Sequence, residues 1–194
     1  PMEMGSHRRA LNTFLEDVQR INEQLLLLVV DPSSGGRVRR ALQVSKPVAK
    51  LISAARAPAI GTALRCGVPL VVFTRTFHEI AALAPRRWSS VAAPAPPDEL
   101  RALTRFTMHF VHELALRSAA LTHALFKLPP AVCGAFGEVP LVHVETLVQR
   151  GCVLRLRSGD DPLAWDRLFV GGRCGDGRAQ TLAHLSALQT LFMR

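Results

Sequence analysis

Two histidines and a glutamate stand close together in a segment with helical spacing, and they are the first candidates for chemistry. His109, His112 and Glu113 occupy positions i, i+3 and i+4, so one helix face can carry all three. Histidine and carboxylate groups are common zinc ligands, but zinc peptidases arrange them as HExxH or HxxEH. The order here is HFVHE. Two histidines at the edge of an apolar core explain this order better than a zinc site does. A metal-dependent enzyme is therefore a weaker hypothesis than the two binding functions described below.

The other candidates for catalysis each lack a required part. The glycine-rich segment 172–178 loosely resembles a phosphate-binding loop, but Arg-Ala follows its last glycine where Lys and a hydroxyl residue are needed. Cys133 and His143 lie near each other in the sequence without a motif that supports a cysteine nucleophile. Three carboxylates cluster around a turn, as solvated turn residues do: Asp160, Asp161 and Asp166. We therefore expect no enzymatic activity, no cofactor and no bound metal.

The spacing of the cysteines and the length of the apolar runs indicate in which cellular compartment the protein resides. The four cysteines are far apart and form no CxxC pair: Cys66, Cys133, Cys152 and Cys174. This spacing fits neither a disulfide framework nor a zinc knuckle, so we expect reduced thiols in an intracellular protein, cytoplasmic or nuclear. No apolar run approaches the ~18 residues of a membrane span. Residues 1–6 look like a remnant of cloning, and we expect the natural segment to start near residue 7.

Arginine dominates the positive charge of the chain. Of the 24 basic residues only three are lysine, which leaves 21 arginines, and tyrosine is absent. GC-rich codons favour this composition. A GC-rich DNA virus is a source that fits, as are a high-GC bacterium and a GC-rich vertebrate locus.

The positive charge is concentrated in residues 32–78, which we call the basic segment. This stretch has eight cations and no acidic residue, in a chain of formal net charge +9. The cations are Arg37, Arg39, Arg40, Lys46, Lys50, Arg56, Arg65 and Arg75. They form either a solvated surface that pairs with acids elsewhere, such as Glu16, Asp17 and Glu23, or a surface that meets an acidic partner.

The nature of an acidic partner depends on what accompanies the arginines. Aromatic side chains for base stacking are few, since Phe73, Phe77 and Trp88 are the only ones in or near the basic segment. No helix-turn-helix, RNP or zinc-finger pattern is present. A protein partner is therefore favoured, and a nucleic-acid-binding regulatory domain that uses residues 32–78 is the alternative.

A long amphipathic helix is the clearest element, and it is predicted over residues 7–30. Its apolar residues follow a 3-4-3-4-3 spacing: Leu11, Phe14, Val18, Ile21, Leu25 and Leu28. Asp31-Pro32 ends it. Because this face is wide, we expect part of it to pack inside the domain and part to contact a partner, in a homodimer or a heteromer.

A second long helix is predicted over residues 97–128, beyond a proline-rich linker at 85–97. Its buried stripe is predicted to consist of Leu100, Leu103, Phe106, Phe110, Leu114, Leu121, Leu125 and Leu128. Short helices are predicted at 38–44, 47–57 and 59–66, with Gly67 as a cap. Residues 69–84 fit either a helix or a buried strand at 70–74, and their spacing favours the helix.

The last third of the chain has mixed signals. We predict a helix over 140–150, a strand at 153–157 with a hairpin partner at 164–170, and a closing helix around 182–192. The fold class is therefore mainly α: a bundle-like domain with two long helices, several short ones and a small C-terminal hairpin. Halves 7–84 and 98–194 are expected to pack as one domain, 7–194.

With no catalytic constellation, we expect the domain to work by binding. The leading hypothesis is a non-enzymatic scaffolding or regulatory module that takes a partner helix into an apolar groove between its own helices, assisted by the basic segment.

Overall fold

A computed structural model describes residues 2–81, 96–150 and 154–170, together with positions 181, 182, 185, 186 and 188–190. In chain order the elements are α1 (Met2–Val30), α2 (Gly35–Ala41), α3 (Lys46–Ala54), α4 (Ala57–Leu64), β1 (Val71–Phe73), α5 (Arg75–Ala81), α6 (Asp98–Arg117), α7 (Ala119–Phe126), α8 (Pro130–Glu138), α9 (Leu141–Arg150), β2 (Leu154–Leu156) and α10 (Pro162–Val170). The mainly α fold class is thus confirmed.

Helix α1 is the element against which much of the fold packs. Val18, Ile21 and Leu25 of its predicted stripe are fully buried, and Phe14 and Leu28 are partly buried. The side chain of Leu11 lies outside the described residues. The helix ends as predicted, because the carboxylate of Asp31 accepts hydrogen bonds from the backbone and the hydroxyl groups of Ser33 and Ser34. These bonds also hold the pKa of Asp31 below its ordinary value.

Helices α2, α3 and α4 form a layer over α1. Each contacts α1 and buries small or branched apolar side chains: Val38 from α2, Val48 and Ile52 from α3, Ala59 and Ala63 from α4. The Ser45 hydroxyl accepts a hydrogen bond from the Val48 N–H and caps α3. Gly67 adopts φ +71°, a backbone region that glycine enters without strain, so the turn after α4 forms where the sequence predicts it.

The prediction of one helix over 69–84 was wrong for its first part. Residues Val71–Phe73 form β1, with all three side chains buried, and only Arg75–Ala81 is helical. The chain passes from strand to helix at Thr74, whose hydroxyl accepts a hydrogen bond from the Phe77 N–H at 3.3 Å. The buried β-branched pair Val71 and Val72 favours a strand. The strand lies within residues 70–74, where the alternative prediction placed it.

The predicted C-terminal hairpin was also wrong in its pairing. β2 pairs antiparallel with β1, in the register Val71↔Leu156 and Phe73↔Leu154. Residues 164–170 belong instead to α10, where the Asp161 carboxylate accepts from the N–H groups of Leu163 and Ala164. An aspartate followed by proline is a helix-start signal that the strand interpretation overlooked.

The second long helix breaks where the sequence predicted continuity. α6 ends at Arg117, and Ser118 adopts an extended conformation with φ −161°. Its hydroxyl accepts a hydrogen bond from the Leu121 N–H at 3.2 Å, which caps α7. The leucine spacing runs on through the break, so periodicity alone could not reveal it.

Two predicted segments fall largely outside the described residues. Of the linker at 85–97, only positions 96 and 97 are described. Of the closing helix around 182–192, the described positions are helical, and the others lie outside the described part of the chain.

The core combines both halves of the chain. Its largest fully buried side chains include Phe73, Phe77, Phe126, Phe136 and Trp165. Among the described helices, none is by itself both long and apolar enough to cross a bilayer. α8 and α9 meet that test only as a pair bent by 117°.

Two buried polar side chains hold the segment between α4 and β1. Asn22 of α1 donates to the Val68 carbonyl at 3.0 Å and accepts from the Leu70 N–H at 2.8 Å. Arg157, which follows β2, donates through Nε to the Pro69 carbonyl at 2.9 Å and through Nη2 to the Leu125 carbonyl. Burial lowers the pKa of Arg157 to about 10, so it stays protonated at neutral pH. One guanidinium thus joins β1, β2 and the end of α7.

We expect Arg157→Met to lower the free energy of unfolding by about 3 kcal/mol, because it leaves two enclosed carbonyls without these donors. Urea unfolding followed by circular dichroism measures the loss. Arg155→Met is the matched control, since Arg155 is exposed in β2, two residues before Arg157, and should change stability by less than about 0.5 kcal/mol. Equal stabilities for the two variants would contradict a structural role for Arg157.

Candidate functional site

A groove of about 260 Å³ lies between α1 and α6. Its floor is apolar and its edges carry charged and polar groups. The lining residues are Thr13, Phe14, Asp17, Phe106, His109, Phe110, Glu113, Leu114 and Arg117.

Three phenylalanines make the floor of the groove. Phe14 and Phe110 contact each other across the two helices, with ring centroids 5.6 Å apart. Phe110 also packs edge-on against the buried Phe126 at 6.0 Å, which fixes its ring. Phe106 carries the guanidinium of Arg20 over its face at 5.8 Å. All three floor rings remain partly accessible, whereas Val18, farther along α1, is closed off.

The charged groups around the groove differ in how well they are neutralised. Glu145 of α9 accepts from His109 at 2.8 Å and from Arg105 at 3.0 Å. Burial opposes ionisation of Glu145, but these hydrogen bonds and the positive charge of Arg105 outweigh it, so the pKa of Glu145 is lowered. Glu113 and Arg117 are 3.9 Å apart and largely exposed. Asp17 has no ion pair within the described residues.

The two histidines of the HFVHE segment turn to different partners. His109 faces Glu145 at the edge of the groove, whereas His112 is buried and its Nε2 lies 2.7 Å from the Val139 carbonyl. The His112 ring also packs edge-on against Phe136. In the part of the chain that the structure describes, no three metal-ligating side chains come together. The segment therefore does not bring its histidines together as one ligand set.

The two described cysteines are enclosed rather than reactive. Cys66 and Cys133 are buried free thiols. Burial raises the pKa of both, which holds them in the protonated form that is a poor nucleophile. Cys152, Cys174 and the glycine-rich segment 172–178 lie outside the described residues.

The structure places the eight cations of the basic segment in different settings. Arg37 pairs with Glu99 at 2.5 Å and Arg75 with Glu79 at 3.2 Å. Arg39 donates to the Val29 carbonyl at 2.8 Å. The other five are exposed, and no described carboxylate lies within 4.0 Å of them: Arg40, Lys46, Lys50, Arg56 and Arg65.

The acids predicted as partners for these cations do not pair with them. Glu16, Asp17 and Glu23 form no ion pair with the basic segment in the described structure, and the pairing with Arg37 is made by Glu99 of α6. Phe73 and Phe77 are buried and stacked, with centroids 4.2 Å apart, so neither is a platform for a base. Trp88 lies outside the described residues.

The predicted apolar face of α1 is used mostly inside the domain. Val18, Ile21 and Leu25 reach no solvent. Large apolar side chains of the same helix that are exposed include Leu27, at 62%, and Val30, at 38%. A homodimer or heteromer through α1 stays a prediction, and these two residues are where its C-terminal end could contact a second chain.

The aromatic parts of the groove could be found from the sequence, but the groove itself could not. The spacing predicts Phe14, Phe106 and Phe110 as buried residues of their own helices. For Asp17 the sequence predicts only a place on the polar face and a role as counter-ion for the basic segment. The available signal was that each helix places a carboxylate three residues after a phenylalanine, as Phe14 and Asp17 do on α1 and Phe110 and Glu113 on α6.

Comparison of the chain with models of known protein families, with curated proteins and with solved structures finds no match. No residue role is therefore carried over from a relative. Function has to be inferred from the groove and from the distribution of charge.

We expect protein purified without a chelator to contain far less than one zinc ion per chain, because His109 and His112 are engaged with different partners. Elemental analysis by mass spectrometry measures the ratio. Stoichiometric zinc that disappears in His112→Ala but not in His143→Ala would contradict this expectation, provided that both variants keep the wild-type circular dichroism spectrum.

Proposed function

We propose that this domain is a non-enzymatic protein-binding module, with a scaffolding or regulatory role in the cytoplasm or nucleus, and that the groove between α1 and α6 receives an apolar segment of its partner. The observation that carries the proposal is the accessible aromatic floor between two long helices. The phenylalanines of that floor contact neighbouring side chains but stay partly accessible to solvent.

The size of the groove supports a peptide rather than a small molecule as its occupant. Pockets for drug-sized ligands begin at roughly 300 Å³ and enclose most of the ligand. At about 260 Å³ and open to solvent, this groove fits one or two large side chains that project from a longer chain. The residues of an amphipathic helix that are one turn apart supply such anchors.

The chemistry of the groove supports the same occupant. Recognition surfaces place aromatic and aliphatic groups at the centre and charged groups at the rim. Phe14, Phe106 and Phe110 occupy the centre here, and charged side chains occupy the rim: Asp17, Glu113 and Arg117. Buried apolar anchors in such a centre carry most of the binding free energy.

Helical peptides selected by phage display against the domain test the proposal. We expect selected peptides to bind at least about tenfold more weakly to Phe14→Ala, because that change removes one wall of the aromatic floor. Leu163→Ala is the matched control, since it removes an exposed apolar side chain of α10 that does not line the groove. Peptides that lose equal affinity for both variants, or a selection that yields none, would refute the groove as the binding site.

A second candidate function is binding of nucleic acid through the basic segment. It is favoured by the five exposed cations that have no carboxylate within 4.0 Å among the described residues. Lys46 and Lys50 are one turn apart on the exposed side of α3. Because Phe73 and Phe77 are buried, contact with a duplex phosphate backbone fits better than stacking on single-stranded bases.

Titration with duplex DNA over a range of salt concentrations tests this candidate. Replacement of Arg40, Lys46 and Lys50 by alanine should lower the slope of log affinity against log salt by up to about three units, one for each phosphate that the variant no longer neutralises. Replacement of Arg101, Arg117 and Lys127 removes the same charge elsewhere and should leave the slope nearly unchanged. Absence of binding at physiological salt, or equal effects of the two triple variants, would reject the candidate.

A further inference from the structure

We infer that the segment received by the groove carries a basic side chain, arginine or lysine, about one helical turn from its apolar anchor. This inference rests on the proposed binding function and adds the chemistry of the partner. It comes from the way in which carboxylates border the aromatic floor.

Both walls of the groove repeat one arrangement. On α1, Asp17 lies three residues after Phe14, and on α6, Glu113 lies three residues after Phe110. Side chains at this spacing share a helix face, so each wall presents a carboxylate beside a phenylalanine ring. Because the two rings contact each other at 5.6 Å, the carboxylates border one continuous floor.

These two carboxylates are poorly neutralised by the chain itself. Asp17 has no cation within 4.0 Å in the described structure, although Arg20 stands one turn away on the same helix. The guanidinium of Arg20 lies over Phe106 instead. Glu113 has a 3.9 Å contact with Arg117, and both side chains are more than half exposed. An ion pair of that kind contributes little and is easily exchanged.

Two of the nearby positive groups are engaged with a carboxylate that does not line the groove. Arg105 and His109 both bond to Glu145 and offset the charge of that carboxylate rather than the charges of Asp17 and Glu113. Two acids and one arginine line the groove, so with histidine counted as neutral its lining has a formal charge of −1 (two negative, one positive) in a chain of formal net charge +9. That local excess of negative charge favours a cationic occupant over an acidic one.

The aromatic floor suits the same occupant. The stem of an arginine or lysine packs on apolar rings while its charged head reaches the rim. Cations are attracted to the faces of aromatic rings, and Arg20 over Phe106 at 5.8 Å is an instance within this molecule. A basic side chain can thus contact the floor and a rim carboxylate together, which a neutral apolar side chain cannot.

Displayed helical peptides with two fixed apolar residues one turn apart, and all other positions randomised, provide the test. We expect selection against the wild-type domain to enrich arginine or lysine about one turn from the apolar pair. A purified peptide of this kind should bind about tenfold or more weakly to Asp17→Asn, which keeps the side-chain size, and still more weakly to the Asp17→Asn, Glu113→Gln double variant. Glu16→Gln removes the same charge from the neighbouring exposed position and should change affinity less than about twofold.

A charge reversal makes the test specific. Selection against Asp17→Arg should remove the preference for basic residues and enrich acidic ones. Peptides that bind in a Phe14-dependent manner but show no basic preference, or that bind Asp17→Asn and wild type equally, would overturn this inference and leave the groove intact as a binding site. A selection in which no peptide depends on Phe14 would overturn the binding function itself.

Discussion

The fold depends on one buried guanidinium and the backbone that it holds. Arg157 donates to the carbonyls of Pro69 and Leu125, and so links the start of strand β1, the residues after β2 and the end of α7. Asn22 holds the same stretch from the side of α1, through Val68 and Leu70. Because a buried charge is tolerated only where its donors are satisfied, the approach of these three regions is fixed by geometry rather than by apolar contact alone.

This arrangement determines which part of α1 stays accessible to solvent. From Val18 onward the helix is covered by α2, α3, α4 and the strand segment, and most of its stripe is closed to solvent. Nearer its N-terminus, Phe14 and Asp17 face α6 across the groove. Two convex helices in contact leave a furrow along their line of approach. The groove therefore lies at the part of α1 that the other described elements cover least, near Phe14 and Asp17.

The two charged surfaces of the molecule are carried by different elements. The cations of the basic segment project largely from helices that cover α1, whereas the groove carboxylates lie along the contact with α6. The field of exposed cations extends over about one screening length in solution, whereas an apolar floor is reached only by direct contact. Arg37 and Arg75 are exposed but paired with Glu99 and Glu79, whereas the other five exposed cations of the basic segment have no carboxylate within 4.0 Å among the described residues.

Much of the fold follows from the sequence because it is decided locally. The end of α1 at Asp31-Pro32, the cap at Gly67 and the helix α9 result from periodicity, proline and glycine, which act within a few residues. The cap at Ser118 was missed, and the strand at Val71–Phe73 was predicted only as the alternative to a helix. Local patterns at both places fit more than one structure, and packing in the core decided between them.

The residues of the groove divide in the same way. Its phenylalanines and carboxylates follow from the spacing within each helix taken separately. Three features were decided only when distant elements packed: Phe14 meets Phe110, Asp17 has no counter-ion in the described structure, and β1 pairs with β2 from the far end of the chain. The physical reason is that a contact between two elements depends on their relative placement, which neither sequence segment sets alone.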